Sequence, residues 1–416
     1  MNIKKVLFST GYTGFFSDDQ AAIKSGLKQD GFFYQGGAVT AGFKQVRQAG
    51  ESISVLLVLE NGQTAVGDCA AVQYSGAGGR DPLFTAHSYI SVLEKYVRPM
   101  LECASVNCFR ELADRIDRVL VEGRQLHTAL RYGITQAILD AVAKAHQKTM
   151  TEIIWQEYNL PSIIKPVPLF GQSGDDRYLA ADKMILKQVD VLPHALINNI
   201  ESKLGMDGKK LKDYIIWLRE RILHNRFSSS YHPTLHIDVY GTIGMIFNYD
   251  ISRIATYLAE LEKAARPFDL YIEGPVDVGH KQRQIDMLLK IRKELDNIGC
   301  KVKIVADEWC NTYEDVRDFS DSRCCHMVQI KTPDLGGIQH IVESVLYAKR
   351  HGMEAYQGGT CNETDISAKI CVHLALAAGA DRMLAKPGMG FDEGFCIVKN
   401  EMERTLKLLS LKYGNE

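Results

Sequence analysis

No run of the sequence stays apolar for the ~20 residues that a membrane-spanning helix needs, so no span is expected. Charge of one sign is also lacking. The 49 basic and 51 acidic side chains are well mixed and leave a formal net charge of −2. That balance gives no basic surface for a nucleic acid or an anionic membrane, and a small-molecule partner is expected instead. Cysteine occurs ten times, yet in no CxxC pair and beside no HxxxH, even where Cys324 and Cys325 adjoin. The spacing argues against structural zinc and a disulfide framework, and it predicts reduced thiols in a cytoplasmic protein. Near the N-terminus Lys4-Lys5 precedes an apolar run that Ser9-Thr10-Gly11 interrupts, so no signal peptide is expected. Low-complexity tracts are missing, and no repeat is stronger than a strand-plus-helix period.

What is present is an ordinary globular composition, 46% hydrophobic and 24% charged over 416 residues. That length holds a (β/α) barrel of ~250 residues and a second domain. Residues 52–59 and 64–67 flank Asn61-Gly62 and predict a hairpin with a type I′ turn. Apolar side chains at helical spacing (Leu130, Ile134, Ala137, Ile138, Ala141, Val142) predict a long helix over 127–148. These elements predict an α+β domain over residues 1–160.

From Val167 the pattern changes to alternating strand and helix, which predicts a barrel over 161–416 with a C-terminal tail. Strands are expected at 167–171, 235–239, 270–273, 302–306, 327–331, 353–357 and 382–386. Helices are expected at 251–264, 281–297 and 338–350. The interval 174–233 is too long for one crossover and predicts extra helices at 193–203 and 209–224. Pattern alone does not place the chain beyond Ala385.

Three acids recur at intervals of about 35 residues, each closing a short apolar run: Asp238 after Leu235-His236-Ile237, Glu273 after Leu270-Tyr271-Ile272, and Asp307 after Val302–Ala306. Taken singly each reads as a turn residue or a helix N-cap. On consecutive βα units their carboxylates converge at the strand C-termini, where only a hard cation such as Mg²⁺ relieves the repulsion. One unit further, Val328-Gln329-Ile330-Lys331 puts Gln329 and Lys331 on one side of a strand. A lysine beside a carboxylate metal site points to proton chemistry, although an ion pair with one acid is the plainer alternative.

These segments resemble methylaspartate ammonia-lyase, a family of the enolase superfamily. The likeness is carried by Ile237-Asp238-Val239-Tyr240-Gly241, Ile272-Glu273-Gly274-Pro275, Ala306-Asp307-Glu308-Trp309-Cys310-Asn311 and Gln329-Ile330-Lys331-Thr332-Pro333-Asp334. It extends through Gly358-Gly359-Thr360-Cys361-Asn362-Glu363-Thr364, Gln172-Ser173-Gly174-Asp175, Asp190-Val191-Leu192-Pro193-His194 and the segment from Ala70 to Pro82. The resemblance covers nearly the whole chain and implies a TIM-like barrel with an α+β capping domain. It implies that Asp238, Glu273 and Asp307 bind Mg²⁺, that Lys331 is the base and that His194 faces it. Gln172, Gln329, Thr360 and Cys361 (through its backbone N–H) would hold the substrate's carboxylates and amine. It also implies a monovalent cation such as K⁺, a homodimer, a role in glutamate degradation, and reversible loss of ammonia from L-threo-3-methylaspartate to give mesaconate.

Several of these positions have a second reading on pattern alone. Thr360 and Cys361 equally shape a Gly-rich turn, Gln172 caps a loop, and His194 after Pro193 fits a helix start. Leu384 fits either barrel core or an apolar niche for the C3 methyl group. Gly76-Ala77-Gly78-Gly79 lacks the GK[ST] ending of a phosphate cradle and is taken as a lid beside Gln73. Three other functions compete. Racemases, dehydratases and cycloisomerases of the superfamily carry Lys-x-Lys on an early strand, where Leu169-Phe170-Gly171-Gln172 has no lysine. A zinc hydrolase would want His-x-His where the chain has His236-Ile237-Asp238. A non-catalytic binding protein is disfavoured by the intact acids and lysine.

Overall fold

In the computed structural model, which describes residues 1–77 and 79–414, the strand-plus-helix period closes on itself. Eight parallel strands form a barrel in chain order: Leu169–Phe170, Val191–His194, Thr234–Asp238, Leu270–Glu273, Lys303–Ala306, Met327–Ile330, Glu354–Gln357 and Arg382–Leu384. Side chains alternate across each strand. The outward set, including Leu235, Ile237, Ile272, Ile304, Val328 and Ile330, packs with the surrounding helices in one core. The inward set, Phe170, Val191, Tyr271, Val305, Met327, Tyr356 and Leu384, fills the barrel as a separate core. The same alternation turns Asp238, Glu273, Gln329 and Lys331 inward, above that filling.

Most expected barrel elements appear within a residue or two, including helices Ile251–Ala265, Lys281–Asn297 and Ile338–Arg350. The interval 174–233 differs. Residues 193–203 are not a helix: Val191–His194 is a barrel strand, and only a short π-helical turn, Ile200–Leu204, follows it. Helix Arg177–Leu186 precedes that strand and helix Lys209–Asn225 comes after. Pro193 cannot donate to a helical ladder, and His194, Ala195 and Leu196 have φ of 69°, 71° and 34°. Three consecutive left-handed residues break any helix there and turn the backbone sharply at the barrel rim. Beyond Ala385 the chain forms helix Asp392–Tyr413, which packs on helix Asp365–Ala378.

The expected hairpin is part of a three-stranded antiparallel sheet, Ile3–Asp18, Arg47–Leu59 and Thr64–Cys69. Helix Thr128–Ala145 lies between this sheet and barrel helices Ile338–Arg350 and Asp365–Ala378, and is apolar nearly all round because both sides are covered. Gly67 and Gly133 let sheet and helix touch: a Cβ on Gly133 would sit 2.2 Å from Cys69 N. The sheet reaches the barrel mouth through Gly14, whose N–H donates to Glu363 O at 2.7 Å, and through Ala71 O, which accepts from Asn362 Nδ2 at 3.0 Å.

Candidate active site

A cavity of roughly 120 Å³ lies at the C-terminal ends of the barrel strands. Gln73, Gln172, His194, Asp238, Asp307, Gln329, Lys331, Thr360, Cys361 and Leu384 all line it. Glu273 lies just beneath, where oxygens of Asp238 and Glu273 and a ring nitrogen of His194 fall within 4.8 Å of one another. The barrel order gives these residues a plan. The His194 strand is four strands from the Lys331 strand in either direction, so the two bases stand on opposite sides. The arc between them through Asp238, Glu273 and Asp307 is acidic. The other arc carries Thr360, Leu384 and Gln172 and is uncharged. Consecutive βα units thus bring Asp238 and Glu273 together, while Asp307, one strand on, falls outside that group and pairs with Lys331.

Burial dominates the electrostatics. Asp238 and Glu273 are held well above the ordinary carboxylate range, first by loss of water and then by repulsion from neighbouring acids, Asp307 on both. Glu273 Oε1 has no partner, while Glu273 Oε2 and Asp307 Oδ1 meet His236 Nε2 and Lys331 Nζ, each at 2.8 Å, without hydrogen-bond geometry. Buried carboxylate oxygens without donors are costly alone, and a hard dication is the ligand that suits such a set. The residues present thus fit Mg²⁺. Lys331 Nζ forms an ion pair with Asp307 Oδ1 at 2.8 Å, so the plainer reading of this lysine and the metal reading involve the same carboxylate. Burial acts to depress the Lys331 ammonium, but Asp307 and Glu308 outweigh it and raise it above the usual lysine value. His194 goes the other way: burial pulls it down to about 4, so its imidazole is neutral near pH 7.

Several polar atoms facing this space have no partner: Gln172 Oε1, Gln329 Oε1 and His194 Nδ1. Buried polar groups are normally satisfied, so these wait on a polar ligand. The Thr360 N–H points to Glu363 Oε1 at 3.3 Å, and the Cys361 thiol donates to Gln73 Oε1 at 3.3 Å. Burial pushes that thiol up to about 12, so it stays neutral. Leu384 belongs to the inward core and also lines the cavity. Of the 76–79 segment, residue 78 lies outside the described residues, and the flanking Gln73, Tyr74 and Arg80 are the ones at the cavity wall.

Sequence reasoning missed several neighbours. Asp18 accepts from Gln73 Nε2 at 2.7 Å and is itself held by both arms of Arg47 at 2.7 Å. Arg80 bridges the sheet domain to Asp334 at 2.8 Å and to Asn311 Oδ1, which also accepts from Lys331 Nζ at 3.4 Å. No local pattern marks Asp18 or Arg47, because strands far apart in sequence deliver them. His236 was legible: two residues before Asp238 on one strand, it must share the inward face.

Two family models match the chain, "Methylaspartate ammonia-lyase N-terminus" over residues 1–159 and "Methylaspartate ammonia-lyase C-terminus" over 161–411. The chain belongs to the methylaspartate ammonia-lyase family. A curated methylaspartate ammonia-lyase of Citrobacter amalonaticus is 62% identical over 412 residues, covering 99% of this chain and 100% of the relative. A crystal structure of the C. amalonaticus enzyme containing (2S,3S)-3-methylaspartic acid is similar at a TM-score of 0.98, with 62% identity and coverage of 99% and 100%. A β-methylaspartase of Clostridium tetanomorphum, solved as a Mg complex, gives 0.97 at 57% identity, covering 99% of this chain and 100% of that one. The fold alone extends further, to a muconate lactonizing enzyme from Pseudomonas fluorescens at TM-score 0.60, 15% identity and coverage of 92% and 87%. Membership in the methylaspartate ammonia-lyase family bears out the resemblance read from the motifs, and the capped barrel is the fold that resemblance implied. Among the described residues no helix is long and apolar enough to cross a membrane.

Proposed function

We propose that this chain catalyses the reversible elimination of ammonia from L-threo-3-methylaspartate to mesaconate, with Asp238, Glu273 and Asp307 holding Mg²⁺. The observation that carries the reading is the plan of the cavity: two basic side chains face each other across a space with acids on one arc and uncharged groups on the other. The C3 proton is barely acidic because it neighbours a carboxylate that is already an anion. Lys331 Nζ takes that proton, which requires a neutral amine: burial acts in that direction, and the pull of Asp307 and Glu308 that holds it cationic would be offset by a bound Mg²⁺. When bound, Mg²⁺ would supply the positive charge that offsets the second negative charge building on the substrate carboxylate. Gln172, Gln329, Thr360 and the Cys361 backbone orient the dicarboxylate, and Gln73 closes the cavity from the sheet domain. His194, neutral on the opposite face, is placed to exchange a proton with the other C3 epimer. Leu384 abuts the C3 methyl group.

The same reading divides the chain into a capping unit, 1–160, and a barrel unit, 161–416. It also carries over a K⁺ requirement, a cytoplasmic homodimer and a role in glutamate degradation. The test is direct. Full-length protein with 3-methylaspartate and Mg²⁺ should show rising ultraviolet absorbance from the conjugated double bond of mesaconate. Excess chelator should abolish the rise while far-ultraviolet circular dichroism stays unchanged. No absorbance change with either C3 epimer would overturn the reading, and full activity in chelator would remove the metal from it. Titrating K⁺ in the same assay and sedimentation of the protein check the cation and the dimer.

A further inference from the structure

Gln73 reaches the cavity from the sheet domain, and both ends of its amide are held. Its Nε2 donates to Asp18 Oδ2 at 2.7 Å, and its Oε1 accepts from the Cys361 thiol at 3.3 Å. A carboxylate in an ion pair accepts and cannot donate, so the Asp18 contact decides which end of the amide is which. Asp18 is 1% exposed and closes strand Ile3–Asp18, directly opposite Arg47, the first residue of strand Arg47–Leu59. Arg47 holds it with a fork, Nε to Oδ1 and Nη2 to Oδ2, each at 2.7 Å. The guanidinium carbon in turn lies 4.4 Å from the centre of the Phe32 ring and 5.3 Å from that of Tyr34. The Asp18 N–H also donates to Gln73 O at 2.9 Å, so backbone and side chain of Gln73 are tied to the same residue. Neither Asp18 nor Arg47 lines the cavity, and the reaction scheme leaves both unused.

We infer that Asp18 and Arg47 are positioning residues that set the orientation of the Gln73 amide for substrate binding, with its carbonyl oxygen on the Cys361 side; this rests on the reading above that the cavity takes 3-methylaspartate. The two orientations of a primary amide have nearly the same shape, so packing alone does not choose between them. Charge does. With the fork of Arg47 in place, Asp18 offers Gln73 only lone pairs, and a Gln73 oxygen turned toward it would set two acceptors face to face. The device belongs to the sheet domain whereas Cys361 belongs to the barrel, so the orientation is completed only where the two domains meet.

The test is steady-state kinetics of the full-length protein with 3-methylaspartate and MgCl₂, for Asp18→Asn, Gln73→Ala and the double variant. In Asp18→Asn the one remaining oxygen is taken by Arg47, an NH₂ group faces Gln73, and the Gln73 amide turns over. Its kcat/KM should fall about 10- to 100-fold, the scale of a misplaced substrate contact, and chiefly through KM. Gln73→Ala alone should raise KM at least as far. Adding Asp18→Asn to Gln73→Ala should then cost nothing more, since no amide is left to turn. Arg47→Met keeps an apolar stem beside Phe32 and removes the fork. It should raise KM in the same way, again only while Gln73 is present, and it decides the matter if Asp18→Asn does not fold. An unchanged KM in folded Asp18→Asn or in Gln73→Ala would overturn the inference. So would losses that multiply in the double variant, the mark of a purely structural role. An unaltered protein that leaves 3-methylaspartate unchanged would instead sink the reaction reading itself.

Discussion

At the scale of single residues, Lys331 and His194 differ in a way that experiment can separate. One is held cationic by adjacent acids, while the other is neutral because burial denies it a proton. They also enter from opposite sides of the barrel. Lys331→Ala should therefore cost about 10²- to 10⁴-fold, the usual worth of a positioned acid or base, in C3 proton exchange of the threo isomer. His194→Ala should chiefly impair the erythro isomer. Deuterium exchange followed by NMR for both isomers checks this, and equal losses in both variants would refute the two-base assignment. Leu384 poses a different question because it serves core and cavity together. Leu384→Ala should shift the methyl-to-ethyl preference in kcat/KM by about 1–3 kcal/mol, the scale of one or two methylenes in a pocket. An unchanged ratio would leave Leu384 a core residue only.

At the scale of elements, the junction of sheet and helix is set by the absence of side chains. A methyl group on Gly133 would meet Cys69 N at 2.2 Å, and neither backbone can retreat without separating helix Thr128–Ala145 from strand Thr64–Cys69. Gly133→Ala should lower stability by about 1–3 kcal/mol or more by overpacking. Gly37→Ala, where a Cβ meets nothing within 4 Å, should leave it almost unchanged. Urea denaturation midpoints compare the two. Elements also explain which parts of the site were legible. The strands bearing Asp238, Glu273 and Lys331 announce themselves by apolar runs ending in a charge. Val191–His194 does not, since Pro193 resembles a helix start and the left-handed turn at 194–196 that aims His194 has no sequence signature.

At the scale of the whole molecule, the sheet domain is tied to the barrel by a charge cluster outside the cavity. Asp117 accepts from His340 Nε2 at 2.7 Å and from Arg131 at 3.1 Å. Burial opposes protonation of His340, yet its bonds to Asp117 and Glu343 raise it to about 9. A group raised in the folded state stabilises fully below its unfolded value of about 6.5 and loses that contribution as pH rises through about 9. The Tm advantage of the unaltered protein over His340→Gln should therefore be greatest near pH 6 and fade by pH 10. A pH-independent difference between the two would show that His340 contributes through packing and not through charge.

The sequence by itself determined the barrel, the acidic arc and Lys331, because period-two strands ending in charged residues leave the backbone little choice about where those side chains face. It also carried the family, since motifs of that length in that order mark one lineage. The tertiary structure alone decided that Gln73 is held by Asp18, itself paired with Arg47, and that Arg382 lies behind His236 and Glu273. Each of those contacts joins residues whose separation along the chain is set by barrel closure and cap docking, and no local pattern encodes which distant strands will meet.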